Sequence, residues 1–185
     1  FCDLRWGWYY GFNAYVSFGL FYKEFEWPIE ATVRAGPQQQ QSFANAESAE
    51  NQGAEFEIYK RLEFLGGRWE DVYVQGDMSF IDSSVNIRPE DQGILTNTSR
   101  PLQGQSDWIF NAQVGYEPYS SVTATLLYHY YGARITEVGT SGAPDLIEQP
   151  FGELKFVYIQ EFGDHWRLNA RFKNLLDKRM SRIQI

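Results

Sequence analysis

Two histidines, His129 and His165, one cysteine, Cys2, and a set of Asp, Glu and Ser side chains are the groups in this chain that could do chemistry. His129 falls mid-way along an alternating run, on its polar side, and His165 stands beside a tight turn at Gly163-Asp164. A metal centre needs three or more converging ligands, which two separated histidines do not supply. The single cysteine rules out an internal disulfide and a Cys-based zinc site. No Asp, Glu or Ser falls in a nucleophile-elbow, phosphate-loop or zincin spacing. These residues imply no enzyme, no metal and no cofactor. Two charged groups remain. Arg88, Glu90, Asp91, Asn97 and Arg100 lie together in the long polar stretch Asp82 to Ser106, and are the candidates for touching a polar ligand. Glu153, Lys155, Arg167, Arg171 and Lys173 share polar strand faces, where opposite charges pair across strands.

The elements that must carry these groups are strands. In Trp166 to Lys173, Trp166, Leu168, Ala170 and Phe172 take one side and Arg167, Asn169, Arg171 and Lys173 the other. That period of two marks a strand with one apolar and one polar face. The same alternation runs through Leu4–Tyr10, Asn13–Tyr22 with its continuation to Val33, Ala54–Glu63, Val72–Phe80, Trp108–Tyr116, Val122–Tyr131 and Leu154–Phe162. Pro28, lacking an N–H, predicts a bulge, edge or kink. No segment of ten or more residues keeps a helical period, so the expectation is an all-β, antiparallel up-and-down meander of about eight long strands. In register, residues such as Trp6, Phe18, Leu20, Phe56, Ile58, Val114, Leu126, Leu168 and Phe172 fall on one continuous apolar face.

The connections alternate in length. Short turns are expected near Gly11, Gly66, Pro118 and Gly163; long loops near Gly36–Ala44, over Asp82–Ser106 and over Val138–Pro150. Short turns at one end and long loops at the other is the pattern of an outer-membrane barrel. Composition agrees. Aromatics are 17% of the chain, and Tyr10, Phe12, Phe64, Trp69, Tyr116, Tyr119, Phe162 and Trp166 all adjoin the short turns, as the aromatic girdles of membrane barrels do. The formal charge of −8 argues against a nucleic-acid partner, since phosphate binding wants a basic face. No apolar run approaches the roughly 18 residues of a membrane helix, but a spanning strand needs only about ten.

Several motifs, in this order, resemble the barrel of TonB-dependent outer-membrane receptors: Leu20-Phe21-Tyr22-Lys23 with Pro28-Ile29-Glu30; Asn51 to Glu57; Arg100 to Ser106; Gly132-Ala133-Arg134-Ile135 with Glu148-Gln149-Pro150; and Asn174-Leu175-Leu176-Asp177-Lys178-Arg179. The resemblance implies that residues 1–185 form a curved C-terminal portion of a 22-stranded barrel, with plug and final strand absent. It also implies uptake of a scarce nutrient such as an iron–siderophore or cobalamin. Lipid, that small ligand and, through the missing N-terminal part, the TonB energy-coupling complex would be the partners, and the Gram-negative outer membrane the location. In that setting Asn97-Thr98-Ser99 is a chance glycosylation sequon. The competing expectation is a soluble all-β carbohydrate- or ligand-binding module that buries the same apolar face between two sheets.

Overall fold

The computed structural model describes residues 1–11, 13–34, 40–88, 92–118 and 121–184. It is all-β. In chain order the strands are β1 Cys2–Tyr9, β2 Ala14–Glu26, β3 Ile29–Arg34, β4 Gln40–Asn45, β5 Ser48–Arg61, β6 Val72–Asn86, β7 Ser99–Arg100, β8 Trp108–Tyr116, β9 Val122–Tyr131, β10 Arg134–Glu137, β11 Leu146–Glu148, β12 Phe151–Phe162, β13 Trp166–Phe172 and β14 Arg182–Gln184. Eight of them form one antiparallel meander in the order β1-β2-β5-β6-β8-β9-β12-β13, with β7 paired to the far end of β6. The sheet is open: β1 pairs only with β2, and β13 only with β12.

Alternation sets both faces. Reading the ladder across, Trp6, Phe18, Phe56, Met78, Phe110 and Tyr130 lie on successive strands of one side, and Val114, Leu126, Phe156 and Phe172 continue it. Among the described residues no second sheet covers this side: Trp6 is 58% exposed, Phe18 43% and Leu126 41%. The opposite side is polar. Glycines there and on the apolar face seat cross-strand aromatics. The Tyr73 ring lies over Gly115, its cross-strand partner, so closely that a Cβ on Gly115 would stand 2.1 Å from Tyr73 Cε1. Tyr128, the diagonal neighbour beside its partner Tyr130, covers Gly152 as closely. Such aromatic rescue of strand glycines fixes register.

The short connections fall where expected, with Glu63–Leu65 and Gly67–Asp71 as two 3-10 turns between β5 and β6. Gly163 takes φ 58° in the turn between β12 and β13, a conformation open to glycine at no steric cost. The chain breaks at Trp27-Pro28, with Trp27 at φ 54°, before β3 begins.

The long connections differ from simple loops. Of the expected loop Gly36–Ala44, residues 36–39 lie outside the described set, but Gln40–Asn45 is a strand that folds back on β3 as a hairpin. The Asp82–Ser106 stretch begins as strand, because β6 runs on to Asn86, and returns to strand at β7. Within Val138–Pro150, β11 pairs with β10 and with β14. The polar composition that suggested loops reflects strands that extend beyond the apolar band, where both faces are polar. These segments pack on a small core of Ala46, Ala49, Val85, Ile87 and Leu95, against which Leu102 and Val138 rest.

Candidate functional site: the polar sheet face and the loop cap

The polar face presents one row of hydrogen-bonding groups straight across the ladder: Ser17, Glu57, Asp77, Asn111, His129 and Glu153, one from each of six consecutive strands. Neighbours in the row satisfy each other. Asn111 Nδ2 donates to Asp77 Oδ2 at 2.7 Å, and the His129 ring nitrogen Nδ1 meets Asn111 Oδ1. Glu57 receives Arg5 and the Tyr15 hydroxyl. Lys155 pairs with Glu153 at 2.9 Å, and Arg167 with its cross-strand partner Glu161 at 3.7 Å. The expected pairing across strands is thus present for Arg167, whereas Glu153 and Lys155 pair along the same strand, β12. His165 sits apart, in the turn after Gly163. Among the described residues no cluster of three or more His, Cys, Asp or Glu could hold a metal ion.

The cap at the long-loop end is built around three withdrawn carboxylates, Glu148, Glu30 and Asp145. Glu148, 1% exposed, accepts from the Tyr131 hydroxyl at 2.8 Å and from Arg134 Nε and Nη2 at 3.0 and 2.6 Å. Arg182 Nε reaches its other oxygen at 3.4 Å. Burial alone would push the Glu148 carboxyl up. The Tyr131 hydrogen bond and the two guanidinium groups outweigh that and hold it below its ordinary value. Glu30 of β3 takes Arg100 of β7 at 2.9 Å. Asp145 accepts from Asn97 Nδ2 at 3.2 Å and from the Gly139 N–H at 2.7 Å.

The five candidate ligand residues therefore have different fates. Arg100 is buried, with its charge committed to Glu30. Asn97 is exposed and donates to Asp145. Arg88 lies with its guanidinium 4.8 Å from the centre of the Trp27 ring. Glu90 and Asp91 lie outside the described residues. A recess of about 640 Å³ opens between β3 and the β10–β11 connection, lined in part by Thr32, Gln103, Thr136, Glu137, Thr140 and Gln184. None of these six was singled out from the sequence. Their polarity is ordinary for loops, and the return of β11 to β10 and of β14 to β11 brings Gln184 to the β10–β11 connection.

Comparison with family profiles, with curated proteins and with solved structures finds no match for this chain.

Proposed function

We propose that this chain forms part of the wall and outer cap of a TonB-dependent outer-membrane receptor, a nutrient importer and not an enzyme. The single observation that carries this reading is the stagger of the short turns along the sheet. The β1–β2 turn closes at Tyr9–Tyr15. The ladder row through Tyr15 meets Tyr59, Gln75, Gln113, Leu127 and finally Lys155. Yet the β12–β13 turn closes at Phe162–Trp166, seven residues further on and six strand spacings away. At about 3.3 Å per residue and about 4.8 Å per strand, that is a climb of roughly 23 Å over roughly 29 Å. With the turns level at one membrane surface, the strands tilt by about 39°, inside the roughly 35–45° of outer-membrane barrels.

The dimensions agree. From Trp108 to Tyr116, β8 carries apolar residues at every second position. Those eight steps span about 27 Å along the strand and, so tilted, about 21 Å of depth, close to the roughly 25 Å apolar band of such barrels. Beyond Phe80 the same face turns polar at Asp82 and Gln52, which are hydrogen-bonded at 3.0 Å. At the other limit Lys60 holds its ammonium over the Tyr10 and Phe64 rings, 5.5 Å from each centre, as a lysine does when it snorkels to an interface. The unpaired edges of β1 and β13 carry free backbone groups, which hydrocarbon does not tolerate. Further strands of the parent barrel would pair them. The apolar face meets lipid, the cap meets the nutrient, and coupling to TonB belongs to a segment outside this chain.

The test is nitroxide labelling of the gene product containing this chain, in outer-membrane vesicles and in a Cys2→Ser background. Labels at Phe56→Cys and Glu57→Cys should differ sharply. Oxygen dissolved in lipid should relax the first, and a water-soluble nickel chelate the second. Equal exposure of both labels to the nickel chelate would remove the membrane reading.

A further inference from the structure

We propose that the recess between β3 and β10 is a binding subsite for a neutral, hydroxyl-rich small molecule of the saccharide type. The inference rests on reading the long-loop end as the outer mouth, and it names the ligand class for that mouth. The recess, at about 640 Å³, has the volume of a small-molecule site, roughly 300–1,000 Å³. Its lining is specified by which hydrogen-bonding valences are already used. Gln103 donates its Nε2 to the Thr136 carbonyl at 2.6 Å, and Gln184 donates its Nε2 to the Pro144 carbonyl at 3.1 Å. Thr136 donates its hydroxyl proton to the Leu146 carbonyl at 3.1 Å. Each of these amides keeps its oxygen with two lone pairs and one remaining N–H, and a hydroxyl that has donated keeps only lone pairs. Glu137 adds a carboxylate, an acceptor without a proton.

Among the described residues the lining is therefore rich in acceptors and holds no Lys or Arg. An anion entering it would meet these lone pairs and the Glu137 carboxylate, a costly burial. A polyol, each of whose hydroxyls donates a proton, satisfies those oxygens. A single carboxylate among neutral groups suits hydroxyls better than a desolvated ammonium, whose charge needs fuller compensation. Among the described residues no aromatic ring lines the recess, so the grip is by hydrogen bonds and not by stacking on a sugar face.

The experiment uses the full chain in zwitterionic detergent, free of sugar headgroups, with saturation-transfer NMR as the readout. Three probes are compared: maltose, the polyamine spermidine and the anion 2,3-dihydroxybenzoate. Maltose should receive saturation, and the anion none. Thr140→Val and, separately, Glu137→Gln should weaken maltose by about three- to tenfold each, the worth of one hydrogen bond. An unchanged far-UV spectrum checks that each variant is folded, and Gln184→Ala, near the chain end, is a third variant on the same footing. Several results would overturn the proposal: no transfer to maltose, transfer undiminished by all three variants, or spermidine or dihydroxybenzoate responding as strongly as maltose. The nitroxide test does not depend on this recess. Lipid-facing Phe56 with no maltose response removes the subsite and leaves the barrel, while maltose binding with a water-exposed Phe56 removes the barrel and leaves the recess as a soluble module's site.

Discussion

Arg100 and Glu30, seventy residues apart in the chain, meet at 2.9 Å inside the cap, the arginine side chain 2% and the glutamate 10% exposed. The pair ties the β3–β4 hairpin to the segment that follows β6. Removing one partner of a buried pair strands the other charge, at a cost of about 3–5 kcal/mol, whereas replacing both with apolar groups of similar volume is often neutral. Arg100→Met should therefore loosen the cap strongly, and Glu30→Leu combined with Arg100→Met should recover most of the loss. Hydrogen exchange of Ile29–Thr32 and of Ser99–Arg100 reads both. Equal protection in the single and double variants would show that the pair does not hold these segments.

Glu148 gives the cap a pH dependence whose sign follows from its depressed carboxyl. A carboxyl held below its unfolded value binds protons more weakly when folded, so its stabilising contribution is complete above about pH 4.3, the ordinary Glu value. That contribution fades as the pH falls through the lowered folded value. Protease protection of the Arg134–Glu148 segment should hold at neutral pH and drop under acid. In Glu148→Gln, protection should be lower throughout and that acid-dependent step should vanish. An acid step of the same size in Glu148→Gln would assign it to other groups.

At Gly115 there is no room for a side chain while Tyr73 stays in place. Gly115→Ala should cost about 1–3 kcal/mol, the usual range for overpacking. In the Tyr73→Ala background the same change should cost much less. Denaturant midpoints of the four proteins of this cycle provide the measurement, and additive effects would show that the contact is not felt.

Ala112 stands near the middle of the apolar band and Gln75 on the polar face. On the proposed barrel reading, Ala112→Arg should destabilise by about 2–4 kcal/mol, the cost of an arginine facing lipid at mid-bilayer. Gln75→Arg should change little. Folding titrations in lipid vesicles distinguish them, and equal effects would deny the two faces their different surroundings.

The eight-strand meander was legible because each strand buries or exposes whole faces, and a period of two survives any loop. Phe18 and Phe56 announce their shared side before any partner is known. The cap was not legible, for a physical reason. Glu30, Arg100, Glu148 and Asp145 are buried because they find each other across long separations, and a chain position shows charge but not its partner. The motif segments around Arg134 and Glu148 did stand out from the sequence. Their role did not, since only the pairing Arg134↔Glu148 brings the two together. The same holds for Gln40–Asn45, whose glutamines read as loop until β3 lies beside them.

The stagger of the turns has a consequence for the polar row. A row perpendicular to tilted strands cannot be level. From Ser17 to Glu153 it crosses five strand spacings, about 24 Å, and with a tilt of about 39° it gains about 15 Å of height. Ser17 lies two residues from the short-turn end of its strand, while Glu153 lies nine from the same end of its own. Glu57, Asp77, Asn111 and His129 are the steps between. In the proposed barrel this row is thus a ramp: a solute handed sideways from Glu153 toward Ser17 would also descend from the cap toward the opposite surface.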